Sequence, residues 1–305
     1  MSFSTDLKNE LQVIMPKNVH CRYAELAGVI SISGRMMQIS GEDMFAIRVD
    51  SDAMEELVLK LIRMSTDIPD SVITRENEKQ HHRKVIIPGK YYDELTVRLK
   101  LQAQDSRICV NEIITERNCC KRSFLRGAFL AGGSVSSPEK SYHMEISVPT
   151  GSEAEKLCGI MTGLHQSAKL IKRKDRYVLY VKDGDTISDT IGAMGASNSV
   201  MEFENIRILK DIRNNINRAV NCDTANMAKT ANAAVKQIDD INYVISKVGI
   251  DSLPDPLRDM AKVRLEYPYL SLSELGEKFT PTLGKSGISH RLKKLSQMAE
   301  SLRNE

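Results

Sequence analysis

The fold of this 305-residue chain is decided by residues 121–135, KRSFLRGAFLAGGSV. Drawn as a helix at about 100° per residue, the small residues Gly127, Ala128, Ala131 and Gly132 form one continuous strip. Glycine costs roughly 1 kcal/mol in a helix interior relative to alanine, so such a strip needs a packing reason. We therefore predict a helix that crosses another helix at close range. The alternative is a frayed helix that ends in a Gly-Gly cap.

A similar segment lies 100 positions earlier, at residues 21–34, CRYAELAGVISISG. A spacing of 100 puts small residues opposite small residues, and the aligned positions are Ala27, Gly28 and Ser31 with Gly127, Ala128 and Ala131. Hydrophobic periodicity then predicts the order α-β-β-α-β-β-α in both copies. After the first helices, the elements are expected at 36–39, 45–49, 52–64, 72–75, 84–87 and 92–99, and again at 142–148, 153–166, 168–174, 177–182 and 185–193.

Matching order and spacing favour a duplication over two unrelated α+β segments. We expect an α+β fold in which two copies are related by a pseudo-twofold axis. The copies would meet through their small-strip helices and set two four-stranded sheets side by side as a saddle.

Composition and residue spacing exclude several classes of protein. The net charge is only +3 and the pI is near 8.4, so an anionic partner must be met by local basic patches. No apolar run approaches the roughly 20 residues of a membrane span, so we expect a cytoplasmic protein with no membrane partner. The six cysteines form no C-x-x-C pair and no histidine stands at zinc-finger spacing. We therefore expect reduced thiols, no metal and no cofactor.

Residues 125–133, LRGAFLAGG, resemble the LAGLIDADG motif of homing endonucleases. The resemblance implies that the motif helices cross at the centre of the saddle and that the strands lie along DNA. It also implies an acidic residue at each helix end, which holds a divalent metal for phosphodiester hydrolysis. At a spacing of 100 the matching positions are Gly132 and Ile32, which lack the carboxylates that this chemistry needs. We expect no catalytic residue and no enzymatic activity; the alternative is a divergent metal site that uses Glu145 or Glu139.

Two segments carry candidate contacts to the DNA backbone. The densest basic cluster, residues 172–176, lies on a predicted hairpin, where a solvated, edge-protecting turn is an equal alternative. Residues 202–248 predict a polar helix that either contacts phosphates or connects two domains. The candidate residues are Lys172, Arg173, Lys174, Arg176, Arg218 and Lys229.

Residues 251–305 predict a compact three-helix unit. The expected elements are, in order, a helix at 256–266, a capping box of Ser271 and Glu274, a short helix to Phe279, a turn at 280–285 and a helix capped by Ser286. Such a short helix, turn and basic helix form the helix-turn-helix pattern, whose last helix enters the major groove by its N-terminal turns.

The third helix of this unit separates apolar from basic residues. Ile288, Leu292 and Leu295 point inward, and no acidic residue lies between Lys285 and Lys294. Lysine and arginine can read guanine, and serine can reach several base edges. A solvated basic face is the alternative. The candidate DNA-binding residues are Lys285, Ser286, Ser289, His290, Arg291, Lys293 and Lys294.

A LAGLIDADG-like duplication joined to a C-terminal helix-turn-helix resembles the WhiA family. The resemblance rests, as a set, on CCKR at 119–122, EFEN at 202–205, NCDTAN at 221–226, SLP at 252–254 and SGISHRL at 286–292. It implies a sequence-specific DNA-binding transcriptional regulator that acts in bacterial cell division, chromosome segregation or sporulation. The alternative is a scaffold whose LAGLIDADG-like half binds a protein partner while only the C-terminal domain binds DNA.

This interpretation divides the chain into four segments and gives it one partner. The segments are a degenerate LAGLIDADG-like half at 1–105, a second half at 106–215, a helical linker at 216–250 and a helix-turn-helix domain at 251–305. The expected partner is double-stranded DNA, which implies association with the nucleoid, and we expect a monomer. Another transcription factor or RNA polymerase is left open as a protein partner.

Overall fold

The computed structural model describes residues 2–78, 82–104 and 107–304. They divide into two compact units, Met1–Lys210 and Asp211–Glu305. The first copy contains α2 (Val19–Ser33), β1 (Gly34–Ile39), β2 (Glu42–Val49), α3 (Asp52–Ser65), β3 (Thr74–Glu78), β4 (His82–Pro88) and α4 (Tyr92–Leu99), and α1 (Phe3–Gln12) precedes it. The hairpin β5 (Leu101–Gln104) and β6 (Arg107–Val110) comes before the second copy. That copy contains α5 (Asn118–Gly132), β7 (Gly133–Val135), β8 (Met144–Val148), α6 (Gly151–Thr162), β9 (Lys169–Arg173), β10 (Arg176–Val181) and α7 (Gly184–Met194).

The predicted duplication is confirmed by sheet topology. The four strands of the first copy run in the order β1-β2-β4-β3, and those of the second run β7-β8-β10-β9. Each sheet is antiparallel, with one helix between its second and third strands and another after its fourth. The order α-β-β-α-β-β-α therefore holds in both copies.

The two copies are related by a shift of 99 residues, so the predicted spacing of 100 is wrong. Both motif helices contain 15 residues, and their starts, Val19 and Asn118, are 99 apart. Each ends at a glycine with extended backbone, Gly34 or Gly133. At this spacing the first copy reads LAGVISISG at residues 26–34, and its final glycine, Gly34, aligns with Gly133.

The helices α2 and α5 cross with their backbones in contact. A Cβ built on Gly28 would lie 2.3 Å from the Phe124 carbonyl oxygen, and one built on Gly127 would lie 2.1 Å from the Glu25 carbonyl oxygen. Glu25 and Phe124 are themselves 99 residues apart, so the two close approaches are equivalent under the pseudo-symmetry. The absence of a side chain at these two positions allows the crossing.

The other small residues of the predicted strip have different roles. Ala27 and Ala128 are fully buried, whereas Ala131 is half-buried. The Ser31 hydroxyl donates to the Gly28 carbonyl oxygen of its own helix at 2.9 Å. Gly132 lies against the other copy, since its Cβ would approach the Ile32 side chain to 2.6 Å.

A buried ion pair joins the two motif helices. Arg126 on α5 donates from Nε and Nη2 to the two carboxylate oxygens of Glu25 on α2, at 2.9 and 2.5 Å. Its Nη1 donates to the Met194 carbonyl oxygen at the end of α7. Burial raises the pKa of Glu25, and the guanidinium opposes that rise. Bidentate pairing fixes geometry as well as charge, so this contact sets the rotation of one helix against the other.

Equivalent caps begin the helices that cover the sheets. Ser51 precedes α3 and accepts a hydrogen bond from the Met54 amide, and Thr150 precedes α6 and accepts one from the Glu153 amide. These two caps are also 99 residues apart. Side-chain oxygens at this position satisfy otherwise unpaired amides of the first turn, so the sequence marks where both helices start.

The sequence did not predict the hairpin of β5 and β6, which forms its own two-stranded sheet. Several boundaries also differ from the prediction. Val135 lies in β7 rather than at the end of a helix, and α6 ends at Thr162 rather than Gln166. The chain turns away after Thr162 with His165 at a φ of 61°.

A single helix, α8 (Ser197–Val248), carries the chain from the first unit into the second. Its side chains are exposed from residue 211 to 233. None of the helices in the described ranges is both long enough and apolar enough to cross a membrane.

The second unit contains the end of α8 and the helices α9 (Asp255–Glu266), α10 (Leu272–Gly276) and α11 (Lys285–Asn304). Its core joins residues of all four helices and Leu253 of the connection before α9. The helical residues are Ile241, Val244, Leu257, Met260, Ala261, Leu275, Ile288, Leu292, Leu295 and Ala299. Two of these residues come from α8, so the predicted boundary at 250/251 passes through a packed unit. The structural division falls after Lys210.

The close crossing predicts that an added methyl group destabilises the fold. We expect Gly28→Ala and Gly127→Ala each to lower the free energy of unfolding by about 1–3 kcal/mol or more, because backbone atoms stand in the way. Denaturant unfolding followed by circular dichroism measures the loss. Gly159→Ala is the control, since that site on α6 has no atom within 4 Å of the added Cβ. An equal loss at Gly159 would contradict this explanation.

Candidate nucleic-acid interface

The basic helix α11 is fixed by one apolar stripe. Ile288, Leu292 and Leu295 are each at most 2% exposed and pack into the core of the second unit. The helix begins at Lys285, and the amides of Gly287 and Ile288 donate to the Gly284 carbonyl oxygen. Gly284 is therefore the residue that precedes the helix, and the predicted cap at Ser286 is wrong because Ser286 already lies in the first turn.

Six of the seven predicted DNA-binding residues are exposed on α11. They are Lys285, Ser286, Ser289, His290, Lys293 and Lys294. The seventh, Arg291, is half-buried, and its guanidinium lies 5.6 Å from the centre of the Phe279 ring. The structure thus places Arg291 at the side of the helix, where it contacts the preceding turn. The first acidic residue of α11 is Glu300, four turns from its start.

The helix before α11 is shorter than predicted. It begins at the expected capping box, where the Ser271 hydroxyl accepts from the Glu274 amide and the Glu274 carboxylate accepts from the Ser271 amide at 2.8 Å. It ends at Gly276, so Phe279 lies in the connection. A Cβ on Gly276 would lie 2.1 Å from the Leu283 carbonyl oxygen, and this close approach closes the longer turn.

Polar contacts fix the C-terminal end of α11 and the segment before α10. Near the end of α11, Arg303 pairs with the buried Asp240 of α8 at 2.9 Å, and the Tyr243 hydroxyl donates to the Leu302 carbonyl oxygen. The buried Arg264 of α9 donates to the Leu270 carbonyl oxygen at 2.7 Å, immediately before the capping box. Burial lowers the pKa of this guanidinium. Contacts from α8 therefore hold the C-terminal end of α11, and Arg264 holds the connection that precedes α10.

A second basic surface lies on the outer faces of the two sheets, which we define as the faces opposite the covering helices. Strand residues alternate between faces. In β10, Leu179 and Val181 join the core, so Arg176 and Val178 point outward. The register places Lys169 and Arg173 of β9 on the same outer face. In the first sheet the same alternation puts Arg35, Arg48 and Lys84 outward.

The predicted cluster at residues 172–176 is divided between two faces. Lys172 is paired with Tyr177 on the helix-covered side, and its Nζ lies 5.8 Å from that ring. Arg173 and Arg176 are on the outer face, and Lys174 occupies the turn with a φ of 55°. Arg35 of the first sheet and these three residues line one surface pocket, so both copies contribute to the pocket.

Arg176 makes a structural contact at the edge of this pocket. Its Nε donates to the Ser147 hydroxyl at 2.7 Å and its Nη2 to the Ser147 carbonyl oxygen at 2.9 Å. Arg218 and Lys229 belong to the second unit, where they are on the exposed stretch of α8. The six predicted backbone contacts are therefore divided between the two units.

The ends of the motif helices carry no carboxylate. With the spacing of 99, the positions that match the metal-binding acid of the LAGLIDADG motif are Gly132 and Ser33, so the sequence-based assignment of Ile32 is wrong. The buried Ser33 hydroxyl donates to the Val29 carbonyl oxygen at 2.9 Å. Glu145 is on β8, where its carboxylate lies 3.2 Å from Nε2 of His143. Glu139 is exposed in the connection before that strand.

At their other ends, the motif helices bring together a cluster of metal-ligand types. His20, Cys21, Cys119 and Cys120 place their possible ligand atoms within 4.8 Å of one another. The His20 Nδ1 lies 3.1 Å from the Cys120 sulfur and 3.3 Å from the Cys21 sulfur. Burial and the neighbouring thiols raise the pKa of Cys120 to about 12. Sequence reasoning missed the cluster because its two halves are far apart in the chain.

Comparison with known protein families matches both units. The family profile described as the WhiA LAGLIDADG-like domain matches residues 121–213, and that of the WhiA C-terminal HTH domain matches residues 216–299. The probable cell division protein WhiA of Lachnoclostridium phytofermentans is 39% identical, over 99% of this chain and 100% of the relative. The chain belongs to the WhiA family.

Solved WhiA structures agree with the fold. The full-length WhiA of Thermatoga maritima has 26% sequence identity and a TM-score of 0.60 over 99% of both chains. A crystal structure of an N-terminal LAGLIDADG domain of WhiA has 21% identity and a TM-score of 0.52, and the match covers 67% of this chain and 96% of that one. The WhiA fold thus combines a LAGLIDADG-like unit with a helix-turn-helix unit.

The capping box predicts how the stability of the helix-turn-helix unit changes with pH. Removing the hydroxyl in Ser271→Ala should cost about 0.5–2 kcal/mol of unfolding free energy at neutral pH. The hydrogen bonds from Ser271 lower the pKa of Glu274, so this carboxylate stabilises the fold above its ordinary pKa of 4.5. That stabilisation is lost as the pH falls through the lowered value.

Denaturant unfolding of the full chain at pH 7 and at pH 3 measures both effects. Ser273→Ala is the control, since Ser273 is exposed on the same short helix. We expect the difference between the two variants to be smaller at pH 3. A difference that grows in acid would contradict the role of the Glu274 carboxylate.

Proposed function

We propose that the chain is a sequence-specific DNA-binding transcriptional regulator that acts in bacterial cell division, chromosome segregation or sporulation and does not cleave DNA. The observation that carries the proposal is the exposed face of α11, which joins basic and hydroxyl side chains on a helix locked into a helix-turn-helix unit. The name of the Lachnoclostridium relative supports the process, since that protein is called a probable cell division protein.

The face of α11 has the chemistry that major-groove reading requires. Ser286, Ser289 and His290 occupy its first two turns, which enter the groove in helix-turn-helix proteins. Serine can bond to several base edges and lysine can bond to guanine O6 and N7, so this face can discriminate sequence. Lys293 and Lys294 follow one turn later, where they can contact bases or phosphates. Between Lys285 and Ala299 α11 has no acidic residue, so this helix itself places no like charge against the duplex.

The ends of the motif helices support the part of the proposal that excludes DNA cleavage. Phosphodiester hydrolysis through a divalent metal needs hard oxygen ligands held close together. Ser33 and Gly132 supply no carboxylate, and Ser33 already donates within its own helix. Plasmid nicking with Mg²⁺ or Mn²⁺ tests this part of the proposal. Turnover that disappears in Glu145→Gln would establish the enzyme alternative instead.

Charge removal on α11 tests the DNA-binding role. We expect the double variant Lys293→Ala with Lys294→Ala to weaken DNA binding about ten- to a hundredfold, since hydrogen bonds from charged groups contribute about 1.5 kcal/mol or more each. If both lysines contact phosphates, the slope of log affinity against log salt should become shallower by about 2. Fluorescence anisotropy over a salt series with full-length protein gives both quantities.

A charge-matched control separates local contact from overall charge. Lys236→Ala with Lys262→Ala removes the same charge from the same unit, and both lysines are exposed outside α11. We expect this control to bind as tightly as the wild type. Equal binding by the two double variants would rule out α11 as the DNA-contacting element.

The outer faces of the sheets favour a second candidate role, which is contact with a protein partner. Val178 and Ile171 lie among the basic residues, and Ile171 is 46% exposed, so the surface is partly apolar. Another transcription factor or RNA polymerase is the class of partner that fits a regulator. In this alternative only the C-terminal unit binds DNA.

Variants of the full chain distinguish these roles for the sheets. Lys169→Ala combined with Arg173→Ala removes two outer-face charges and spares the structural contacts of Arg176. Direct DNA contact predicts weaker binding with a shallower salt slope. Unchanged DNA binding, combined with a loss of binding to RNA polymerase, would assign the sheets to a protein partner.

A further inference from the structure

The His/Cys cluster lies where the two copies of the duplication meet. His20 and Cys21 are in the first turn of α2, and Cys119 and Cys120 are in the first turn of α5. The spacing of 99 relates His20 to Cys119 and Cys21 to Cys120. Each copy therefore contributes two ligands from equivalent positions, and the four ligand atoms converge where the two helices meet.

We propose that His20, Cys21, Cys119 and Cys120 form a structural Zn²⁺ site that joins the two motif helices. Three thiolates and one imidazole are a standard ligand set for tetrahedral structural zinc. Because all four ligands come from the protein, the site has no open position for water or substrate. The metal would therefore stabilise the fold without taking part in chemistry.

The distances fit a site that closes around a metal. Zinc–sulfur bonds of about 2.3 Å place tetrahedral sulfur atoms about 3.8 Å apart. The ligand atoms of the cluster lie within 4.8 Å of one another, and the imidazole nitrogen is already 3.1 Å from the Cys120 sulfur. The most distant pair of ligand atoms therefore exceeds the required separation by only about 1 Å.

The ligands lie at the N-terminal ends of two helices. A helix N-terminus has unpaired amides and partial positive charge, which favour the negative charge of a zinc–thiolate centre once the metal has displaced the thiol protons. Neither Asn18 nor Arg117 provides a side-chain cap, so side-chain oxygens do not compete for these amides. Zinc binding releases the thiol protons to solvent, and three thiolates with Zn²⁺ leave one net negative charge between two positive helix ends.

The chemistry points to zinc rather than to the divalent metals that a LAGLIDADG nuclease site holds. Mg²⁺ and Ca²⁺ prefer hard oxygen ligands, and this cluster offers sulfur and nitrogen. It also lies at the N-terminal ends of α2 and α5, whereas the motif acids of a nuclease would be at their C-terminal ends. The proposed site therefore differs from a nuclease site in both position and ligand type.

Metal analysis of full-length protein purified without chelators tests the proposal. We expect about one zinc per chain, measured by plasma mass spectrometry. If the metal is lost during purification, the same content should be reached after addition of Zn²⁺ under reducing conditions. Replacement by Co²⁺ should give the strong visible absorption of a tetrahedral site and a sulfur-to-cobalt charge-transfer band. Removal of zinc by a chelator should lower the temperature of unfolding.

Three variants make the test specific to the cluster. Cys119→Ser removes an exposed ligand, so its zinc loss is separable from a failure to fold. Cys222→Ser is the matched control, since Cys222 is exposed in the other unit. His20→Cys should retain zinc and strengthen the charge-transfer band, because it replaces the imidazole with a fourth thiolate.

Three results would overturn the proposal. The first is zinc no higher than trace in the wild type after reconstitution. The second is zinc binding that persists equally in Cys119→Ser and Cys222→Ser. The third is a disulfide between Cys21 and Cys120 in the native protein, detected by mass spectrometry after thiol blocking, because it would remove two of the four ligands.

Discussion

The contact on which the first unit depends is the backbone crossing of α2 and α5 at Gly28 and Gly127. The two carbonyl oxygens within 2.3 Å of the hypothetical Cβ atoms leave no space for a side chain. Once the helices lie this close, the Arg126–Glu25 pair can bridge them inside the core. A strand follows each motif helix directly, β1 after α2 and β7 after α5, so the crossing fixes where both sheets begin.

The crossing and the nuclease chemistry of a LAGLIDADG motif make separate demands on the motif helices. Close packing needs glycine near the middle of each motif helix, whereas nuclease chemistry needs an acid at each end. Gly28 and Gly127 keep the first requirement, and Ser33 and Gly132 do not meet the second. The close crossing therefore does not depend on acids at the helix ends. In the proposed function, sequence reading belongs to α11, whose apolar stripe anchors it in a separate core.

Local signals predicted most of the fold, and long-range register accounts for the errors. Apolar periodicity and caps located the duplicated elements, because these features act within a few residues. A one-residue error in the repeat misplaced the first acid position at Ile32, since no local feature fixes the spacing between copies. The division of residues 172–176 between two faces depends on strand pairing, which only the fold reveals. The His/Cys cluster was missed for the same reason: its adjacent pairs resemble no metal motif until the helices cross.

The central claim is that DNA is read by α11 of a scaffold that has no nuclease site. Site-specific photo-cross-linking tests it directly in the full-length protein on a DNA site found by genome-wide mapping. A photoreactive residue is placed either at Ser289 on α11 or at Ile171 on the outer face of the sheet. The account predicts adducts from position 289 at bases of the bound site, and their loss on unrelated DNA. Adducts from position 171 together with none from position 289 would contradict it.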